Sequence, residues 1–497
     1  MLTKKVFYNM AAGFLDYGLK VAVALATTPI IIQGIGSQGF GIWQMVIRFG
    51  EQLAVTDGRS NESLKWLIAE RQSEDDPGAK RRLFASALIV WFAFLPLFCL
   101  IGFLALWWAP RFVPEAALLG FDLRVAMGLT IIATILATFK SFSASALIGM
   151  NLNYKSMGVM ALAHMIGGIT VVAAVHAGLG LSGVAASQVV TGLFGAIFTL
   201  WVAKRHIGWF GLERPRRLEI HRIFRISIWF CLWGVMESAL SSDIFILGIL
   251  CSPQMVTNYA VTSYPIQIIT LVIVMTVSAA MPGIGGVISG GDFNRASSLR
   301  KETLSYSWLL GTALGSSILF CNSSFVALWV GANRFAGHIE TLCIVLLVLQ
   351  MVFIRIDAAV INLALDIRRK VIFAFISAVI TLLLSFLLVP TLKIVGLCIA
   401  MFAGRLVLSI TYPKIVSNFL GAGSAQTPLR YFRLSVVTVL IFAGTWLAGK
   451  HIHMLNWPIL ILGAASSGFL SLLIAFFVGF GRNQRLVFLS RFRTLFA

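Results

Sequence analysis

The sequence predicts an all-α membrane protein with about 14 transmembrane helices, and three observations lead to this prediction. First, 59% of the 497 residues are hydrophobic and 12% are charged, whereas a soluble protein carries about 25% charged residues. Second, the apolar residues form long runs without the alternation of membrane β-strands, which indicates helices. Third, the basic residues concentrate in alternate connections between those runs.

Fourteen segments are long and apolar enough to cross a membrane, which takes about 20 residues in a helix. They are residues 8–32, 39–57, 83–108, 122–148, 156–176, 180–203, 223–250, 256–282, 303–330, 338–363, 370–390, 394–418, 431–449 and 457–480. The two longest connections, 58–82 and 204–222, are polar and charged. The chain therefore has little room for a soluble domain.

The 39 basic residues predict the orientation of the chain. With a cytoplasmic N-terminus, 29 of them lie at connections on the cytoplasmic side and 5 on the opposite side. This is the positive-inside bias of multi-pass membrane proteins, and it places both termini in the cytoplasm. The net charge of +20 therefore reports topology, and a chain this hydrophobic is not a nucleic-acid-binding protein. Basic connections also favour anionic membrane lipids.

An internal duplication divides the predicted spans. TTPIIIQGIGSQGFGIW (27–43) resembles DIFILGILCSPQMVTNY (243–259) at an offset of 216, and two further matches follow in order at nearly the same offset. We therefore predict an N-lobe at 1–212 with spans 1–6, a C-lobe at 213–427 with spans 7–12, and spans 13 and 14 with a cytoplasmic tail at 428–497. The expected binding place is a central cavity between the lobes. The alternative is chance similarity among apolar helices.

Ten charged residues lie in the interior of the predicted spans, away from the span ends, where each costs about 2.5–3.5 kcal/mol at mid-bilayer unless it is paired or hydrated. The bases are Lys20, Arg48, Lys140, Arg355 and Arg405, and the acids are Asp16, Glu51, Glu237, Asp243 and Asp357. Asp16 can reach Lys20, and Arg48 can reach Glu51, because their spacings of four and three residues place them on one helix face. Arg355 and Asp357 point to different faces of their helix.

The repeat offset predicts that Lys140 and Arg355 lie at a similar depth in the membrane, in opposite lobes. Two cationic walls would suit an anion, and a phosphate or pyrophosphate above all, because arginine offers a planar fork of donors. The alternative is that the bases only join helices in ion pairs. Glu237 and Asp243 are either sites for a coupling H⁺ or Na⁺, or partners of bases on other helices. We interpret the lone His164 as structural.

Motifs of enzymes and cofactor sites are missing from the sequence. It has no phosphate-binding P-loop, no catalytic triad and no paired acid and base in a cleft. The six cysteines are scattered without the spacing of a metal site. We therefore expect a protein that is not an enzyme and that has no cofactor apart from a coupling ion.

Three segments together carry a resemblance to a known family: TTPIIIQGIGSQGFGIW (27–43), TDGRSNESLKWLIAE (56–70) and SSDIFILGILCSPQMVTNYAV (241–261). With them, the chain resembles the polysaccharide-transporter family, the O-antigen and exopolysaccharide repeat-unit flippases of the multidrug/oligosaccharidyl-lipid/polysaccharide exporter superfamily. The resemblance implies two six-span lobes in a V around a central cavity, plus two C-terminal spans. Asp243 matches the acid of a D-x-x-I-L-G pattern, for which the resemblance implies a structural role.

The resemblance also implies a function. The substrate would be an undecaprenyl-pyrophosphate-linked oligosaccharide, which crosses the bacterial inner membrane by alternating access. Cavity bases would bind the pyrophosphate, and by position these are Lys20, Arg48, Lys140 and Arg355, with Arg405 as a further member. A polysaccharide polymerase and glycosyltransferases would be partners in the same assembly pathway.

Three other functions stay open. A proton- or sodium-coupled multidrug exporter of the same superfamily would have a mostly acidic or apolar cavity, which the five embedded bases disfavour. A lipid II flippase would differ from the first function only in its headgroup. A non-transporting scaffold of a polysaccharide assembly complex would tolerate neutralisation of Lys140 and Arg355.

Overall fold

The computed structural model describes residues 2–72, 74–112, 120–364, 366–421, 428–482, 484–486 and 488. Fourteen α-helices and no strand occur in these residues. The helices are α1 (Leu2–Leu53), α2 (Ser60–Glu70), α3 (Pro77–Phe112), α4 (Gly120–Gly149), α5 (Tyr154–His176), α6 (Gly180–His206), α7 (Arg217–Leu240), α8 (Asp243–Leu250), α9 (Pro253–Ser289), α10 (Phe293–Val330), α11 (His338–Leu363), α12 (Ile367–Phe419), α13 (Pro428–His451) and α14 (Trp457–Ile474). The predicted tail beyond residue 488 lies outside the described residues.

The predicted fold class, an all-α multi-pass membrane protein, is confirmed. Within the described residues, 11 helical segments are long and apolar enough to cross a membrane. Two of them, Leu15–Asp57 and Arg368–Phe419, contain 43 and 52 residues, about twice the 20 that one span needs. Each provides two of the predicted spans, and the 37-residue α9 provides another.

Both long helices break where the sequence predicts a short connection. α1 turns at Gly36, whose φ of 74° lies in the left-handed region that favours glycine. α12 turns at Lys393, whose φ is 51°, a strained value for a residue with a Cβ atom. Within the predicted seventh span, α7 ends at Leu240 and α8 begins at Asp243.

The chain divides into two compact units, residues 1–257 and 258–497. In the first unit α4 packs on α6, and α5 packs between α1 and α6. Glycines allow these helices to approach closely, since a Cβ atom on Gly167 would lie 1.9 Å from Thr191 Oγ1. α7 packs on α2 and α3 within the same unit. The predicted boundary of the duplicated lobes at residue 212 stays a prediction.

In the second unit the long helix α10 packs against α11, α13 and α14. Its buried Asn322 donates hydrogen bonds to the Thr262 carbonyl oxygen at 3.0 Å and to Thr341 Oγ1 at 3.3 Å. Trp308 Nε1 donates to Thr438 Oγ1 of α13 at 2.9 Å. α13 is therefore tied to α10 by a polar contact as well as by packing.

Candidate functional site

Three helices of the first unit bring ionisable side chains together, and we call these four residues the cationic cluster. They are Asp16 and Lys20 of α1, Lys140 of α4 and His164 of α5. Both lysines attract the Asp16 carboxylate, both act on the His164 ring, and they repel each other. The cluster therefore holds two lysines and one aspartate, so positive charge is in excess even with a neutral His164.

The packing around Lys140 leaves its side chain space to reach the cluster. The side chain is partly buried and runs past Gly195 of α6, where a Cβ atom would lie 3.1 Å from Lys140 Cδ. Neither Lys20 nor Lys140 belongs to any ion pair within the described part of the chain. Asp16 Oδ1 is buried without a hydrogen-bond partner among the same residues. The cluster is thus electrostatically coupled without a close pair.

Arg48 has a different environment. Its Nη1 lies 2.8 Å from Glu51 Oε2, as their spacing of three residues allows. Its Nη2 lies 3.9 Å from Asp243 Oδ1, on the first residue of α8. Arg48 therefore stands between two carboxylates, one on its own helix and one on α8.

Arg59 forms a second contact of this kind, with α7. Its Nη1 lies 3.8 Å from Glu237 Oε2. A Cβ atom on Gly234 would lie 2.7 Å from Arg59 Nε, so this glycine leaves room for the guanidinium. Both acids of the predicted seventh span, Glu237 and Asp243, thus meet an arginine from the second span or its end. We call Arg48, Glu51, Arg59, Glu237 and Asp243 the α7 junction.

The turn before α2 orients Arg59. Asp57 is buried, and its Oδ1 accepts a hydrogen bond from Arg59 N at 2.8 Å. Its Oδ2 accepts another from Thr138 Oγ1 of α4 at 3.0 Å. Gly58 has a φ of 79°, and a Cβ atom there would lie 2.5 Å from Phe94 Cδ2. The TDGR segment is therefore a fixed turn that ties α4 to the α7 junction.

Hydrogen bonds and ion pairs continue along α7 beyond the junction. Ser63 and Ser227 are joined through their hydroxyl oxygens at 2.9 Å. Arg82 Nη1 lies 2.9 Å from Glu213 Oε1, and its Nε lies 3.3 Å from Glu219 Oε1. Another ion pair, 2.9 Å long, joins Arg222 to Glu70. The start of α7 is thus held to α2 and α3 by polar contacts.

In the second unit, Asp357 is paired and Arg355 is not. Arg300 Nε donates to Asp357 Oδ1 at 2.6 Å, and both side chains are largely buried. Arg355 is exposed and belongs to no ion pair in the described part of the chain. The opposite exposure of Arg355 and Asp357 agrees with their spacing of two residues. Arg405, on the second half of α12, is 9% exposed.

The structure places the predicted site residues in separate settings. Lys20 and Lys140 share a cluster, whereas Arg48 joins the α7 junction. The approach of Lys140 to Arg355 across a cavity stays a prediction, because the two residues belong to different units. The sequence patterns assign no site role to Asp57, the last residue of the predicted span 39–57, or to Arg59 in the connection that follows, although the D-G-R order could have indicated a fixed turn.

Solved structures provide the comparison with known proteins. No family model and no curated protein sequence matches the chain. The lipid II flippase MurJ in an inward closed conformation is similar with a TM-score of 0.68 and 12% identity, over 94% of this chain and 97% of that one. A multidrug resistance MATE family transporter of the MOP superfamily, in an inward-facing conformation, is similar with a TM-score of 0.65 and 15% identity. The match covers 82% of this chain and 96% of that one. The chain therefore has the fold of these transporters.

A third similar structure differs in the charge of its binding pocket. It is a MOP superfamily transporter from Pyrococcus furiosus, described by the reverse polarity of its pocket, with a TM-score of 0.56 and 14% identity over 83% of this chain and 96% of that one. One fold thus occurs with binding pockets of different polarity. The fold alone does not indicate which substrate this chain takes, so the substrate has to be argued from its own side chains.

Proposed function

We propose that the chain is a flippase that moves an undecaprenyl-pyrophosphate-linked oligosaccharide across the bacterial inner membrane by alternating access, for exopolysaccharide or O-antigen export. The observation that carries this proposal is the cationic cluster, in which Lys20 of α1 and Lys140 of α4 both act electrostatically on the single carboxylate of Asp16, on helices that pack together. The likeness to transporters of the MOP superfamily supports a transport function.

The charge of the cluster favours an anion as the substrate. An embedded lysine is costly unless an opposite charge or water compensates it. The pyrophosphate of a lipid-linked sugar provides two phosphate groups that accept charge-assisted hydrogen bonds from both lysines. A cationic drug would instead be repelled by the excess positive charge. The cluster therefore supports a flippase over a multidrug exporter.

The α7 junction fits a different part of the transport cycle. Alternating access requires helices to separate and meet again, and ion pairs between helices can stabilise one of the two states. Arg48 with Asp243 and Arg59 with Glu237 would stabilise the state in which α7 packs on α2 and α3. Glu237 and Asp243 would bind a coupling H⁺ or Na⁺ only after they part from these arginines.

Location and partners belong to the same proposal. Both termini would be cytoplasmic, with the basic connections facing the anionic headgroups of the inner leaflet. Glycosyltransferases would supply the lipid-linked oligosaccharide on the cytoplasmic side. A polysaccharide polymerase would consume it on the other side.

Polymer export in a deletion strain tests the proposal. We expect Lys140→Ala to lower cell-surface polysaccharide about tenfold or more, because one charge-assisted contact to the substrate is lost, while the protein still inserts. Lys155→Ala, at an exposed position in the first turn of α5, is the matched control and should export normally. The proposal is contradicted if Lys20→Ala, Lys140→Ala and the double variant all export normally. Rescue of a strain depleted of its lipid II flippase would instead assign the lipid II headgroup.

A further inference from the structure

A cavity of about 570 Å³ lies between α1 and α5. Its lining is apolar and includes Val23 and Thr27 of α1 with Met165, Ile169 and Val172 of α5. Both helices are long and apolar enough to cross the membrane. The volume is within the range of about 300–1,000 Å³ found for ligand sites. The cavity is therefore large enough for part of a lipid chain.

Glycine contacts explain why this groove forms. A Cβ atom on Gly168 would lie 2.7 Å from Val23 Cγ1, and one on Gly34 would lie 2.3 Å from Val175 Cγ1. α1 and α5 therefore make their closest contact at these glycines, which have no side chain. Beside that line Ile169 remains 67% exposed, so an open apolar groove follows the contact.

One end of the groove adjoins the cationic cluster. Asp16, Lys20, Val23 and Thr27 recur at helical spacing, so they form one stripe along α1 that changes from charged to apolar. Lys20 precedes Val23 by about 4.5 Å along the helix axis. On α5, His164 directly precedes the lining residue Met165. A molecule with an anionic head and a hydrocarbon tail would match this order.

The depth of the cluster favours a lipid in transit over a resident phospholipid. His164 is 10 residues from the start of α5 and 12 from its end, or about 15–18 Å from either end of the helix. A head bound there would lie near mid-membrane. The head of an ordinary bilayer phospholipid stays at the membrane surface, whereas a translocated head must pass this depth.

We propose that the groove between α1 and α5 binds the isoprenoid chain of the lipid-linked substrate, next to the pyrophosphate that Lys20 and Lys140 bind. This inference rests on the proposed function and adds the site of the lipid tail. The groove makes substrate recognition depend on the isoprenoid chain as well as on the charge of the pyrophosphate. Inorganic pyrophosphate would therefore bind only to the lysines.

Binding by the purified full-length protein in detergent tests the inference, with undecaprenyl pyrophosphate and inorganic pyrophosphate as probes. Ile169→Trp fills the groove at an exposed position, and Ala173→Phe does so one turn further on. Each should weaken undecaprenyl pyrophosphate binding about tenfold and leave inorganic pyrophosphate binding unchanged. Ile197→Trp, on an exposed face of α6, is the matched control. Lys20→Ala should weaken the binding of both probes.

Three outcomes would overturn the inference. Unchanged binding of undecaprenyl pyrophosphate in both groove variants would overturn it while the proposed function stands, provided that Lys140→Ala still loses export. Competition by phosphatidylglycerol at equal strength would assign the groove to an ordinary membrane lipid. Failure of the unmodified protein to bind undecaprenyl pyrophosphate would overturn the groove and the proposed function together.

Discussion

The cationic cluster and the α7 junction compensate their charges in opposite ways. In the junction, Arg48 and Arg59 each lie within 3.9 Å of a carboxylate. In the cluster, two lysines share Asp16, and neither belongs to an ion pair within the described residues. Both regions belong to the same compact unit and are built largely on the same helix, α1. Their difference is therefore one of local partners.

This contrast separates structural charges from charges that are available to a ligand. A paired arginine has little favourable energy left to offer a substrate, because its acid would have to be displaced first. A shared acid leaves the second lysine to be compensated by water or by an anion. The comparison predicts that changes in the junction mainly alter stability, whereas changes in the cluster mainly alter transport.

Among the variants that leave both lysines in place, the largest effect is expected from Gly195→Val, which fills the space beside Lys140 Cδ. Overpacking there would displace the lysine, and the strain costs about 1–3 kcal/mol. We expect polymer export to fall by up to about tenfold, the loss expected when the contact of Lys140 with the substrate is removed. Gly158→Val on α5 is the control, because nothing lies within 4 Å of its added Cβ. Equal export by the two variants would show that the position of Lys140 does not matter.

In the turn that orients Arg59 of the α7 junction, Asp57→Ala should mainly reduce stability. It removes the acceptor of both the Arg59 N and the Thr138 Oγ1 hydrogen bonds. Thr138 Oγ1 can still donate to the Thr134 carbonyl oxygen at 3.2 Å, whereas Arg59 N loses its acceptor. This costs about 1–3 kcal/mol, which thermal unfolding in detergent would detect as a lower midpoint. Asp76→Ala, in the connection before α3, should cost less. If Asp57→Ala unfolds at the same temperature as the unmodified protein, the turn is not a structural element.

An exchange of charges tests the contact between Arg59 and Glu237 in the α7 junction. Arg59→Glu places two acids together and should destabilise the protein by about 1 kcal/mol, as expected for a partly exposed pair. Adding Glu237→Arg restores opposite charges, so we expect the double variant to recover most of the lost thermal stability. No recovery would mean that Arg59 and Glu237 do not interact.

The smallest effect concerns Asp76, outside the spans. A hydrogen bond from the backbone N–H of Ala79, together with the charge of Arg82, lowers the pKa of this carboxyl from its usual value of 3.8. A carboxyl whose pKa is lowered by folding stabilises the protein above its unfolded pKa, and this contribution is lost as the pH falls through the folded pKa. Asp76→Asn should therefore lower the unfolding temperature slightly at pH 7 and not at pH 2.

Much of the architecture could be predicted from the sequence because the bilayer imposes a simple rule on span length. Gly36 lies in the predicted connection 33–38, and Lys393 lies in the predicted connection 391–393. The extra helix α2 was not predicted, because it lies in a polar connection where apolar periodicity is weak.

The candidate site was less predictable, because helical spacing reveals only pairs on one helix. Arg48 and Glu51 could be paired by their spacing, whereas Arg300 with Asp357 joins helices that are far apart in sequence. Asp16 and Lys20 have a favourable spacing, yet their coupling also includes Lys140. His164, which we interpret as structural, lies on α5, which packs against the α1 helix of Lys20.

Transport of a lipid-linked oligosaccharide in proteoliposomes tests the central claim most directly. The measurement compares the double variant Lys20→Gln/Lys140→Gln with the unmodified protein, after thermal unfolding has shown that both are folded. We predict that the double variant loses about 100-fold or more of the transport rate, as two charge-assisted contacts are removed. Transport at the unmodified rate would contradict the account, because the cationic cluster would then not bind the pyrophosphate.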